Sequence, residues 1–206
     1  MIVDIQGPTM QWEQSSIEGI MAKDILLQDK QFYDCEFLRC DFSGTTLQEC
    51  TFVECTFTDC ALTMIKVPHC RWERCDFIGC KMIGVDWSQA MWPLPRTKKK
   101  SIFNLSFKGC AMDFSMFIGM NLTGAKFLDC SLKEAAFEQA DMHGCQLSGC
   151  DLTDAAFQAT NLTEADLSSA KNYSINVCNT VVTKAKFSFP EAMALVYALD
   201  IEIERR

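Results

Sequence analysis

Apolar residues recur along this chain with a period of five. Every position whose number ends in 2 or 7 is apolar from Phe32 to Trp92, and again from Phe107 to Leu167, 26 positions in all. With 49% of the residues hydrophobic, chance would give such a run roughly once in a hundred million sequences, so the period governs the fold. Two residues before each large apolar residue usually stands a small one. Examples are Cys35, Cys40, Thr45, Cys50, Cys55 and Cys60, then Cys110, Ser115, Ala125, Cys130 and Ala135. The residue between the two is often Asp or Asn, as at Asp41, Asp76, Asp86, Asn121, Asp141, Asn161 and Asp166.

A period of five suits neither common element. On an α-helix the apolar side would drift by about 140° per repeat. In a flat strand the alternation of faces would invert at every repeat. A coil that turns a corner every five residues satisfies the pattern, with the large residue and the small one before it both pointing inward. Four sides close a square coil of about twenty residues, and successive coils stack through parallel β hydrogen bonds about 4.8 Å apart. The predicted fold class is therefore an all-β solenoid, a quadrilateral parallel β-helix. Large residues fill its axis and small ones sit near its corners.

Three breaks divide the chain. Residues 1–16 keep the period poorly and are expected to form an N-terminal extension or cap, followed by an imperfect first coil over 17–31 and a solenoid that runs to 187. At Trp92-Pro93-Leu94-Pro95 the pattern stops, and four basic residues follow within five positions, Arg96, Lys98, Lys99 and Lys100. Lys100 falls in a small inward slot, where an ammonium cannot be buried, so a projecting loop is expected at about 93–104. Such a loop is either simply solvated or a partner-binding element formed by Pro95, Arg96, Lys98, Lys99 and Lys100. The register returns at Phe107. At the C-terminus, Ser188-Phe189-Pro190-Glu191 has capping-box spacing, and an apolar stripe (Phe189, Ala192, Met193, Leu195, Val196, Leu199) predicts a capping helix. The alternation Ile201-Glu202-Ile203-Glu204 predicts a short strand. A helix that covers the last coil leaves apolar surface beyond it. Phe189, Met193, Val196, Tyr197, Leu199, Ile201 and Ile203 are candidate residues for an end-to-end homodimer, the alternative being a simple monomeric cap.

The chain has 206 residues, 13 of them cysteine. Twelve of the thirteen occupy the small inward slot, Cys178 being the exception. Their dominant spacing is C-x4-C, not that of a zinc knuckle, and only two histidines are present. Residues twenty apart should stack, in columns such as Cys35/Cys55/Cys75, Cys40/Cys60/Cys80 and Cys110/Cys130/Cys150. Such columns lie within disulfide reach, but free buried thiols in a reducing cytoplasm are the favoured reading. No basic flank and apolar run marks a secretory signal, and no uncharged run of 18 residues marks a membrane span, so a cytoplasmic location is expected.

Little chemistry is visible. His69 and His143 fall in outward slots without a metal-like cluster, and no phosphate loop or nucleophile motif is present. No catalytic residue, metal or cofactor is expected. The net charge of -8 argues against direct nucleic-acid binding. Counting sides in twenties places Asp34, Glu54, Glu73, Asp113, Glu134, Asp151 and Asp154 on one acidic face, diluted by Arg71, Arg74 and Lys133. An acidic rod suggests an imitation of DNA. Duplex of about 40 Å carries about 24 phosphates, so with -8 in total any mimicry rests on width and selected patches.

The motifs Ala140-Asp141-Met142-His143-Gly144, Cys150-Asp151-Leu152-Thr153-Asp154 and Ala165-Asp166-Leu167-Ser168-Ser169 resemble the repeat of the pentapeptide-repeat family. That resemblance covers residues 30–187 and implies a right-handed coil. The stretch Lys81 to Trp87, then Trp92-Pro93, and the ending Phe187 to Glu202 look like the albicidin-resistance members of that family. They are also similar, less closely, to its quinolone-resistance (Qnr) and microcin-immunity members. The resemblance implies a non-enzymatic, dimeric protein that binds DNA gyrase, with topoisomerase IV as a second target, and protects it from topoisomerase poisons. The alternative is a scaffold or signalling module of the same shape.

Overall fold

The computed structural model describes residues 5–8, 10–92, 105–199 and 201. The chain forms a parallel β-solenoid whose coils repeat every twenty residues. Gln11–Glu13 pairs with Gln31–Tyr33 so that Trp12 meets Phe32, and Ser16–Glu18 pairs with Glu36–Leu38 so that Ile17 meets Phe37. The same register carries Phe32 onto Phe52 and Trp72, and Phe37 onto Phe57 and Phe77. Four columns result, here called faces 1 to 4, which pass in the first coil through Trp12, Ile17, Ala22 and Leu27.

The axis is filled by stacked rings. Face 2 contributes Phe37, Phe57, Phe77, Phe107 and Phe127, with successive centroids 4.4, 4.9, 5.1 and 5.1 Å apart. Face 4 adds Phe117, Phe137 and Phe157, 5.1 and 5.3 Å apart. Rings from opposite faces meet edge-on across the axis, as Phe117 does with Phe127. Each such pair adds about 0.5–1.5 kcal/mol beyond simple burial.

The small slot has its own chemistry. The side chain there donates to the carbonyl of the large residue one coil earlier. Cys55 Sγ donates to Phe32 O (3.4 Å), Ser115 Oγ to Met82 O (3.0 Å) and Thr160 Oγ1 to Phe137 O (2.7 Å). Cysteine, serine and threonine therefore share this position: each is small and carries a donor for an inward carbonyl.

The recurrent Asp or Asn also has a local cause. Its Oδ1 accepts the N–H two residues on, as in Ser43 to Asp41 (3.0 Å), Thr123 to Asn121 (3.0 Å) and Ser168 to Asp166 (2.9 Å). That Asx turn bends the chain after each side. The corner residue itself has positive φ. Among the described residues nine glycines and twenty-one others adopt it.

The ladder crosses the second break with ten extra residues. Phe77 pairs with Phe107, thirty positions on, and Lys81 and Asp86 likewise bridge to Ala111 and Met116. The normal step of twenty resumes at Phe107–Phe127. The predicted loop, with Pro95, Arg96, Lys98, Lys99 and Lys100, lies outside the described residues. Two of the three predicted cysteine columns thereby join into one, Cys40/Cys60/Cys80/Cys110/Cys130/Cys150. All thirteen cysteines are free thiols, and only Cys178 is exposed.

Both ends differ from the sequence-based expectation. Regular pairing begins at Gln11, inside the expected 1–16 cap, because Trp12 already keeps the period and stacks on Phe32 at 4.8 Å. Ile5 joins the apolar core. Lys30, in a small inward slot, reaches the N-terminal end and donates from Nζ to Gly7 O (2.8 Å). At the other end a short helix, Met193–Tyr197, is present, but Ser188 is not its cap. The helix starts at Ala192 without a side-chain cap. Ser188 Oγ instead accepts the N–H of Ser169 (3.0 Å), so the last coil takes the hydroxyl that the capping box required. Ile201 lies outside any strand, and 202–206 lie beyond the described residues.

Candidate partner-binding surfaces

The ten extra residues amount to two sides of the square, which is half a turn. Counting in twenties through them misplaces everything downstream. Asp34, Glu54 and Glu73 lie on face 1 with the column of Phe32, Phe52 and Trp72. Asp113, Glu134, Asp151 and Asp154 belong to the column of Met82, Met112, Leu132 and Leu152, which is face 3. The single acidic face expected from the sequence is thus two groups on opposite sides of the rod.

The two groups differ in how far their charge is offset. On face 1, Glu54 pairs with Arg74 (2.7 Å), and Glu73 pairs with both Arg71 and Arg74. Burial works against ionisation of Glu73, but the two guanidinium groups outweigh it and hold the carboxyl below its usual range. On face 3, Asp113 accepts from Ser131 Oγ (2.5 Å) and the Lys133 N–H (3.0 Å). Asp151 accepts from Thr153 Oγ1 (2.6 Å) and Asn172 Nδ2 (2.9 Å), with Lys133 Nζ at 3.4 Å. Burial alone would raise Asp151, yet these partners bring it down to about 2. Glu134 and Asp154 are exposed at the face 3 to face 4 corner and make no ion pair among the described residues.

The C-terminal candidates are part exposed. Phe189, Tyr197, Leu199 and Ile201 present apolar surface, whereas Met193 and Val196 are half-buried. Ile203 lies outside the described residues. His69 is exposed, and His143 Nε2 sits 3.6 Å from Glu164. No group of three or more potential metal ligands is found among the described residues, and none of their helices could cross a membrane.

One surface was not foreseen. Phe114, Met116 and Ile118 are apolar yet exposed, and Met64, also exposed, shares the corner column of Phe114. The signal was present in the sequence, as large apolar residues in outward slots.

The repeat pattern and the square coil have a counterpart among known families. The family model described as "Pentapeptide repeat region" matches residues 30–104 and 96–167, together more than half of the chain. The chain belongs to the pentapeptide-repeat family. Its solenoid is the right-handed quadrilateral β-helix of that family. Two solved structures of trypsin-treated variants of QnrB1, described as a plasmid-mediated fluoroquinolone resistance protein, share the fold. One is 16% identical with a TM-score of 0.68, covering 93% of this chain and 100% of that one. The other is 18% identical with a TM-score of 0.62, covering 95% and 99%. No curated protein sequence matches the chain.

Proposed function

We propose that this chain acts by binding, not catalysis: as a homodimer it occupies DNA gyrase, with topoisomerase IV as a second target, and protects the enzyme from poisons that trap cleaved DNA. The observation that carries this reading is the unbroken acidic rod. Nine rungs from Ile17 to Phe187 span about 40 Å at about 4.8 Å each, and the chain carries -8 net. A basic DNA-binding channel would attract such a body electrostatically. The likeness to QnrB1, a fluoroquinolone resistance protein, supports the same reading, since it extends over nearly all of both chains. Dimerisation is assigned to the apolar C-terminal end, and the basic run Arg96 to Lys100 to a second contact.

The test is gyrase supercoiling in the presence of a fluoroquinolone or an albicidin-type poison, titrating in the purified protein. Restored supercoiling is expected at low concentration. No restoration with either poison, together with no gyrase binding, would leave the scaffold reading in its place.

A further inference from the structure

The corners of this coil are built from left-handed residues. Of the twenty-one non-glycine residues with positive φ, only Met64, Phe114 and Ala159 are apolar, and the rest are polar or charged. Met64 (φ 56) and Phe114 (φ 60) stand in the same column, at the corner between faces 3 and 4. They are two coils apart, about 10 Å, with Gly84 between them. The left-handed conformation is unfavourable for a bulky side chain, and so is exposure of its apolar surface. Phe114 bears both costs and remains 52% exposed. Met116 and Ile118, 38% and 44% exposed, continue the patch onto face 4 of the same coil. Fold stability accounts for none of this, since a glycine or an aspartate serves the corner elsewhere.

The rim of the patch is mostly acidic, its Lys133 being engaged by Asp151. Asp86, Glu134, Glu138 and Asp154 surround it, and none makes an ion pair among the described residues. Glu138 stands one rung from Ile118 and is part exposed.

We infer that this edge, centred on Phe114, is the surface that docks on the topoisomerase. The inference rests on the function proposed above and names the part of the rod that makes contact. The occupant is a segment of the enzyme that offers apolar side chains to Phe114, Met116 and Ile118, flanked by lysine or arginine. Those cations meet Glu134 and Asp154. An apolar centre with a charged rim is the usual anatomy of a protein contact, and the charged rim chiefly sets its on-rate and salt dependence.

The experiment measures binding to purified gyrase by surface plasmon resonance for the full chain and three variants. The first combines Phe114→Asn, Met116→Thr and Ile118→Thr. It replaces exposed side chains, and asparagine suits the left-handed corner, so its thermal melt should match the parent. At least a tenfold loss of affinity is expected. The second combines Glu134→Lys and Asp154→Lys and should lower the association rate severalfold, with a shallower dependence on salt. Met91→Thr, an exposed apolar residue on face 1, should change nothing. If the parent binds and the first variant binds within twofold of it, the docking surface is elsewhere and the topoisomerase reading stands. An unchanged second variant would overturn the basic character of the occupant. If the parent itself does not bind, the topoisomerase reading falls and takes this assignment with it.

Discussion

A carboxylate oxygen of Asp59 stands 2.5 Å from the point where a β-carbon on Gly79 would be. The two residues occupy successive rungs of one corner column, both with positive φ. Asp24 and Gly44, and Asp129 and Gly149, repeat the arrangement. Gly109 follows Gly79 in that column, and a β-carbon there would meet nothing within 4 Å. Gly109→Ala should therefore cost only the left-handed penalty of about 1 kcal/mol. At Gly79→Ala the exposed Asp59 side chain must swing aside, which should add only about 0.5 kcal/mol, and Asp59→Ala should recover that excess. Chemical denaturation of the three variants would check the order.

Phe127 is fully buried, stacked on Phe107 at 5.1 Å and edge-on to Phe117 and Phe137. Phe127→Ala is expected to destabilise by about 3–5 kcal/mol. Because each coil contacts only its neighbours, the loss should loosen the adjoining coils first. Hydrogen exchange would show protection falling around residues 107 to 147 before the ends.

Twelve of the thirteen thiols are buried, and burial pushes Cys145 up to about 12. A thiol reagent should titrate a single cysteine, Cys178, in the folded protein, and all thirteen in denaturant. Rapid reaction of more than one thiol in the native state would contradict the closed axis. Cys110→Ser should cost no more than about 1 kcal/mol, because Ser115 already shows a hydroxyl serving the same slot.

Acid should destabilise the rod through its Asx turns. The Asp151 carboxyl falls from 3.8 to about 2, and Asp41 and Asp166 are also lowered. A carboxyl lowered by folding binds its proton more readily in the unfolded chain. The stability it contributes is complete above its unfolded value and disappears as pH falls through its folded one. Melting temperature should be insensitive to these groups above about pH 5 and drop between about pH 4 and pH 2. Asp151→Asn should make that drop shallower.

The C-terminal end is open to a direct test of assembly. Tyr197→Asp with Ile201→Asp places charge on exposed apolar positions. Sedimentation should report dimers for the parent and monomers for the variant, with the coil spectrum unchanged.

The columns, the slot sizes and the return of register at Phe107 were all legible from the period, because stacked coils tie each residue to the one twenty before it. The acidic face was not. Its assignment depended on how many residues the break inserts, and a count in twenties that ignores ten of them puts every later side on the wrong, opposite face. The start at Gln11 was obscured because Ala22 breaks the run of large residues in the first coil, although Trp12 and Ile17 keep it. Ser188 has the spacing of a cap, but sequence alone does not show that Ser169 one coil earlier presents a competing N–H. The Phe114 edge was readable as an exception to the rule that outward slots are polar.

The ten extra residues have the length of two sides of the square but take up none, because Phe107 pairs with Phe77 as the next rung of the same face. They change the numbering of every later side without turning the rod. A ladder of this kind keeps its inward and outward residues in place on both sides of such an interruption, whatever its length. Sequence can therefore be added at a corner without altering the axis or the surface that follows it.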